Sequence, residues 1–264
     1  MTETRSHPFE ALGPDLLIDA VESQGFVSDG RFLALNSYEN RVYQIGIEDQ
    51  APMIAKFYRP ERWTNEQIHE EHEYCFQLME QELPVVCPWV NSRSDSLHNY
   101  GDFRFALYER KGGHAPELDN LDNLFILGRV LGRFHGIGAM QAFKHRPTLR
   151  VENFGWQSYR LISEQFMPKE LLPAYDSLAL DVLKKVDQLL EDYGPINNIR
   201  VHGDCHSGNI LWRDDYPHFV DFDDARMAPA IQDLWMLLSG DRQEQTLQMA
   251  ELIEGYNDFY DFDY

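Results

Sequence analysis

The sequence predicts an α+β chain of two lobes, an antiparallel sheet with one helix followed by a mostly helical lobe, and three observations carry that prediction. Short apolar runs broken by turn-forming residues fill the chain up to about residue 110. The pair Gly112-Gly113 then interrupts the pattern, as a flexible break between two bodies would. Beyond it, apolar residues recur at helical spacing: Leu124, Leu127, Leu131 and Phe134 in one stripe, and Leu178, Val182, Val186, Leu189 and Leu190 in another. The expected division is therefore 1–111 and 112–264.

Each element has its own signal. Pro14 suits a first helical turn, Leu16, Leu17, Ala20 and Val21 repeat at helical spacing, and Gly25 stops the run. Phe32 to Ile47 reads as strand, tight loop and strand, with Asn36-Ser37-Tyr38-Glu39-Asn40 as the loop, and Met53 to Tyr58 as a third strand. Thr64 opens a helix with Gln67 as its capping-box partner, and Pro84 closes it. Val85 to Val90 and Phe103 to Tyr108 complete an expected five-stranded sheet. In the second lobe Ile199-Arg200-Val201 leads into a loop from His202 to Asn209. Strands at Ile210-Leu211-Trp212 and His218-Phe219-Val220 follow around a turn at Asp214-Asp215, then a helix from Ile231 to Leu238.

The 264 residues are 43% hydrophobic and 13% aromatic, enough for a substantial core. A formal charge of -21 argues against binding nucleic acid or anionic lipid, so any phosphate must be held by a few local cations or by a metal on carboxylates. Cys75, Cys87 and Cys205 form no C-x-x-C pair, which points away from disulfides and from a four-thiolate zinc site. Met1 to Pro8 contains no apolar leader, and no apolar run is long enough to span a membrane. A cytoplasmic monomer is expected.

The chemistry concentrates in His202-Gly203-Asp204-Cys205-His206-Ser207-Gly208-Asn209, followed by Val220-Asp221-Phe222-Asp223-Asp224. Asp204, Asn209 and Asp221 form the hard-oxygen set that phosphoryl transfer to a hydroxyl requires. Asp204 would align the acceptor oxygen and take its proton, and Asn209 with Asp221 would share Mg²⁺ beneath the phosphates of ATP. Asp, Asn, Gly and Ser are also ordinary turn residues, so either half alone would read as a polar turn. Two halves, each abutting an apolar strand, make that reading a poor one.

These motifs resemble those of the aminoglycoside phosphotransferase-like kinases, relatives of the protein kinases with H-G-D in place of H-R-D. Leu35 to Tyr43, Lys56 to Trp63 and Pro229 to Leu238 are similar to a bacterial serine/threonine protein kinase branch acting in stress responses. The likeness spans nearly the whole chain and implies a bilobal protein-kinase-like fold, with ATP and Mg²⁺ as cofactors and a protein serine or threonine as acceptor. It further implies that Lys56 contacts the α- and β-phosphates with Glu71, favoured over Glu70, as its partner. Ser37 would touch ATP, Glu109 to Lys111 would form the hinge strand beside adenine, and Asp233 would brace the catalytic loop. No glycine lies between Asn36 and Arg41, a departure from the protein-kinase loop G-x-G-x-x-G. Taken alone, Lys56 reads as a snorkelling edge-strand lysine and Glu71 as part of a solvated face.

Two rival readings follow from the same residues. Only twelve positions separate Asp221 from Asp233, without A-P-E, which fits a small-molecule kinase for aminoglycosides or amino alcohols equally well. Gly203-Asp204-Cys205-His206-Ser207-Gly208 superficially matches a metallophosphoesterase element, but the further ligands such an enzyme needs do not follow. His202 reads as a loop brace and His135 as a satisfied core histidine. Members of the resembled family continue into further C-terminal helices, so a second lobe truncated at Asp261-Phe262-Asp263-Tyr264, with apolar surface exposed, is expected.

Overall fold

The computed structural model describes residues 8–262. Residues 1–7, read above as lacking a leader, and Asp263 and Tyr264 of the acidic tail lie outside the described residues. The first lobe opens with α1 (Pro14–Glu22), which begins on Pro14 and buries Leu17, Ala20 and Val21 against the sheet. The strands β1 (Ser28–Leu35), β2 (Arg41–Ile47), β3 (Met53–Phe57), β4 (His98–Tyr100) and β5 (Phe103–Glu109) form one antiparallel sheet in the order β1-β2-β3-β5-β4. Phe57 and Phe105, neighbours in the register of β3 and β5, stack 5.3 Å apart on the core face. The same register sets Lys56 between Val42 and Ala106 on the opposite face.

Between β3 and β4 runs α2 (Asn65–Glu80), capped as its sequence predicts by reciprocal bonds between Thr64 and Gln67. Its apolar residues Tyr74, Cys75 and Leu78 pack into the core of the second lobe, not that of the sheet. That lobe comprises α3 (Leu121–Gly138), α4 (Gln157–Gln165), α5 (Leu172–Tyr193) and α6 (Ile231–Leu234), closed by α7 (Arg242–Tyr256). Two ribbons lie among the helices. β6 (Ile199–Val201) pairs with β9 (Arg226–Ala228), and β7 (Ile210–Arg213) pairs with β8 (Tyr216–Phe219) through the Asp214-Asp215 turn, both residues of which take positive φ. The architecture is the α+β, bilobal fold read from the sequence. Among the described residues no helix is long and apolar enough to cross a membrane.

Several details differ from the sequence reading. Val85 to Val90 is not a strand of the sheet. It makes single bridges, Val85 to Phe219 and Pro88 to Tyr108, because Pro84 and Pro88 lack the N–H groups a ladder needs and the segment is crossing between lobes. Its place in the sheet belongs to β4, whose His-Asn-Tyr carries no apolar alternation to reveal it. β1 starts at Ser28, ahead of Phe32, through a polar and irregular first half. The helix expected from Ile231 to Leu238 narrows to a 3₁₀ turn at Trp235–Leu237, and the π-helical turn Val151–Trp156 with α4 had no sequence signal. The α5 stripe Leu178, Val182, Val186 and Leu189 is exposed, as are Phe154, Leu161 and Phe166 nearby.

Backbone-to-backbone packing joins α3 to α7. A Cβ on Gly128 would run into the Leu252 carbonyl oxygen, whereas one on Gly136 would meet only the edge of the Tyr260 ring at 3.8 Å. Gly128→Ala is therefore expected to lower stability by about 1–3 kcal/mol through overpacking, and Gly136→Ala to raise it by up to about 1 kcal/mol through helix propensity. Urea unfolding of the two variants checks both signs.

Candidate active site

The site forms where the open face of the sheet meets the loops of the second lobe, around a cleft of 380 Å³. Val42, Ile54 and Val86 line it from above and Leu211 and Val220 from below, while Tyr108, Glu109 and Lys111 stand along its edge. Lys56, Glu71, Asn209 and Asp221 converge at its inner end.

Lys56 is buried and its ammonium meets three carboxylates: Asp221 at 2.8 Å, and Glu71 and Asp223 at 3.3 Å each. Burial works against the charge, but the attraction of Asp221, Asp223 and Glu71 outweighs it and holds the lysine well above its ordinary pKa. Glu71 is the more deeply placed acid. Burial lifts it from 4.5 to about 7, with Lys56 pulling the other way and Asp223 adding repulsion. Asp223 feels the same burial penalty, yet Lys56, Arg62 and Arg146 and a hydrogen bond from Asn40 bring it down to about 2. Glu70, the alternative partner considered for Lys56, faces elsewhere and accepts the backbone N–H groups of Lys144, His145 and Arg146.

The loop between β6 and β7 is shaped by backbone constraints. Gly203 has φ of +84°, and a Cβ there would strike the Asp224 carbonyl oxygen. Asp233, fully buried, accepts the N–H groups of His202 at 2.7 Å and Gly203 at 2.8 Å and bonds His135, which in turn meets the Tyr256 hydroxyl. Burial would raise the Asp233 carboxyl, but those bonds and the nearby imidazoles keep it low. His202 Nε2 donates to Val220 O at 2.9 Å and Nδ1 accepts from Asp204 N, so the imidazole ties the loop to the strand end that carries Asp221. Both histidines occupy the bracing and core positions that the sequence suggested.

Asn209 Nδ2 donates to Asp204 O at 2.8 Å and to Asp204 Oδ2 at 3.2 Å, leaving the amide oxygen for another partner. Asp221 sits at φ of +61°, an uncommon conformation for a side-chain-bearing residue, with its carboxylate half exposed toward the cleft. An amide oxygen and a carboxylate oxygen on adjoining loops are a donor set that suits Mg²⁺, which draws its remaining oxygens from water and phosphate. His206 Nε2 lies 3.5 Å from Asp204 Oδ2. The structure does not bring Ser37 into the cleft wall. Its hydroxyl turns back to Asn40 O at 3.0 Å, and Leu35 and Asn36 line the cleft instead.

Sequence reasoning missed Asp223, Arg62 and Arg146 around Lys56. Asp223 carried a signal as the alternate acid of Asp221-Phe222-Asp223, whereas Arg146 lies in an irregular loop and had none. Its buried guanidinium stacks on Trp63, donates to the carbonyl oxygens of Gln67, Ala225 and Asp223, and stands 3.6 Å from Glu71.

A profile for the phosphotransferase enzyme family matches residues 31–264. The chain belongs to that family. Among curated members it is 45% identical to stress response kinase A of Escherichia coli O157:H7, over 97% of this chain and 77% of that protein. It is 41% identical to serine/threonine protein kinase RdoA of Salmonella typhimurium over the same shares. The fold is shared with amicoumacin kinase hAmiN, solved with AMP-PNP, Ca²⁺ and amicoumacin, at a TM-score of 0.75 and 19% identity, covering 92% of this chain and 78% of that one. A microcompartment-associated aminopropanol kinase follows at 0.73 and 16%, covering 94% and 82%. The protein is thus a kinase of the phosphotransferase enzyme family.

The Glu71 shift fixes a pH dependence for this kinase. Between 4.5 and about 7 the folded state holds a proton the unfolded chain has released, so this contribution to stability falls as pH rises and levels off above about 7. Glu71→Gln is expected to gain on wild type across that window when unfolding is followed in urea. A gap between the two that stays constant with pH would contradict the buried, proton-holding carboxyl.

Proposed function

We propose that this kinase transfers the γ-phosphate of ATP, with Mg²⁺, to serine or threonine hydroxyls of proteins. The observation that carries the proposal is the convergence of Asn209, Asp221 and Lys56 at one end of one cleft, with Asp204 bonded to Asn209 beside it. The apolar slot between Ile54 and Leu211 suits adenine, with backbone groups of Glu109 to Lys111 along its edge. Lys56 is placed to hold the α- and β-phosphates, and Glu71 steadies its ammonium from behind. Asp204, oriented by the Asn209 amide, accepts the proton of the acceptor hydroxyl. Mg²⁺, held by Asn209 and Asp221, would supply neutralisation of charge on the β- and γ-phosphate oxygens.

For the acceptor, support comes from the relatives at 41–45% identity, which are named as a stress response kinase and a serine/threonine protein kinase. The structural neighbours named for amicoumacin and aminopropanol share no more than 19% identity and speak to the fold. Labelled ATP offered with casein-like protein beside a panel of aminoglycosides and amino alcohols is expected to label protein. Label confined to small molecules would overturn the protein-acceptor reading and leave the phosphotransferase intact.

Asp204→Ala is expected to lower kcat by about 10²–10⁴-fold with nucleotide affinity nearly unchanged. Asp221→Ala is expected to lower turnover as severely and also to weaken Mg²⁺-dependent nucleotide binding. Calorimetric titration with a non-hydrolysable ATP analogue, beside steady-state kinetics, separates the two effects.

A further inference from the structure

The loop over the cleft lacks glycine, and side chains fix its position. Asn40 is buried, with its side-chain oxygen Oδ1 accepting Arg59 N at 3.1 Å and its side chain also bonded to Asp223 of the other lobe. Ser37, at the other end of the turn, bonds back to Asn40 O. Between them Glu39 Oε2 receives Arg59 Nη1 at 2.7 Å and Arg62 Nη1 at 3.0 Å. Arg62 does not end there. Its Nη2 lies 3.1 Å from Asp224 Oδ1 and 3.3 Å from Asp223 Oδ2, and Arg226 anchors the same Asp224 oxygen at 2.6 Å.

One guanidinium therefore joins the tip of the covering loop to the segment that follows Asp221. That segment is also the one whose Asp224 carbonyl packs on Gly203, next to Asp204. Arg62 is mostly covered, with 17% of its side chain exposed, so solvent screens the tie only in part. Arg62 serves the two ends with different nitrogens, Nη1 for Glu39 and Nη2 for Asp223 and Asp224, a division that the single nitrogen of a lysine at this position would lose.

We infer that Arg62 is a positioning residue for phosphotransfer: by tying Glu39 to Asp223 and Asp224, it sets how closely the 36–40 loop sits over the triphosphate. The inference rests on the kinase reading above. It assigns the loop a rigidity that glycine backbone does not supply here, because the tie joins the turn that continues from Leu35 and Asn36 of the cleft wall to the segment that continues from Asp221 and Phe222.

Four variants test it by steady-state kinetics for ATP and by hydrogen exchange of the 36–40 amides in the nucleotide-free protein. Arg62→Gln and Glu39→Gln are each expected to raise KM for ATP about tenfold with kcat within about threefold, and to speed exchange in the loop while β3 and α2 keep their protection. The double variant is expected to be no worse than the poorer single one, since both remove one tie. Arg62→Lys keeps a cation beside Asp223, which guards against misfolding, and is expected to show the raised KM nonetheless. Unchanged loop exchange and unchanged KM in Arg62→Lys and Arg62→Gln, with wild type turning over ATP, would overturn the tie. Additive effects of Glu39→Gln and Arg62→Gln would do the same. A wild type that fails to turn over ATP would overturn the kinase reading and with it the catalytic meaning of the tie, whatever the exchange rates are.

Discussion

A single ammonium group organises this molecule. Lys56 leaves the central strand of the sheet and meets Asp221 and Asp223 from one lobe and Glu71 from the helix between them. One cation cannot neutralise three carboxylates at close range, so the excess charge has to be handled locally. Glu71 does so by holding a proton to higher pH, Asp223 by drawing in Arg62 and Arg146, and Asp221 by keeping an exposed edge where a divalent cation would be welcome. In a chain with a net charge of -21, the fixed cations Lys56, Arg62 and Arg146 are gathered around one acidic knot, and the proposed polyphosphate site is built on it.

The same knot accounts for how the lobes are joined. α2 belongs to the sheet by sequence but packs Tyr74, Cys75 and Leu78 into the second lobe. Glu70 caps three amides of the 144–146 loop, and Arg146 returns from that loop to Gln67 and toward Glu71. The helix that presents Glu71 to Lys56 is thus pinned by bonds on both of its sides. The Lys56–Glu71 pair forms without a phosphorylated segment to assemble it, in keeping with the short path from Asp221 to Asp233.

What the sequence made legible followed strong local rules. The capping box at Thr64, the Asp214-Asp215 turn, β3 with its lysine, and the loop that brings Asn209 back onto Asp204 each depend on a few nearby residues, and each appears where local chemistry put it. What stayed hidden depended on distant partners. β4 exists because β5 offers an open edge, not because His98-Asn99-Tyr100 favours extension. Val85 to Val90 has strand composition but spends its few N–H groups on both lobes. Arg62, Arg146 and Asp223 became visible only when three separated segments closed on Lys56, and the preference for Glu71 over Glu70 acquired a physical reason only when Glu70 was found capping another loop. The α5 stripe shows the converse: helical periodicity located the helix but not its burial, because Leu178, Val182 and Leu189 face outward.

The place a divalent ion takes when nucleotide enters the cleft decides whether Asn209 and Asp221 are its ligands. A crystal of the protein with Mn²⁺ and a non-hydrolysable ATP analogue locates that ion by its anomalous scattering. The prediction is a peak bound by the Asn209 amide oxygen and the Asp221 carboxylate at about 2.0–2.2 Å, with the Lys56 ammonium on the α- and β-phosphates. An ion bound elsewhere, or a nucleotide that leaves Lys56 untouched among its three carboxylates, would contradict it.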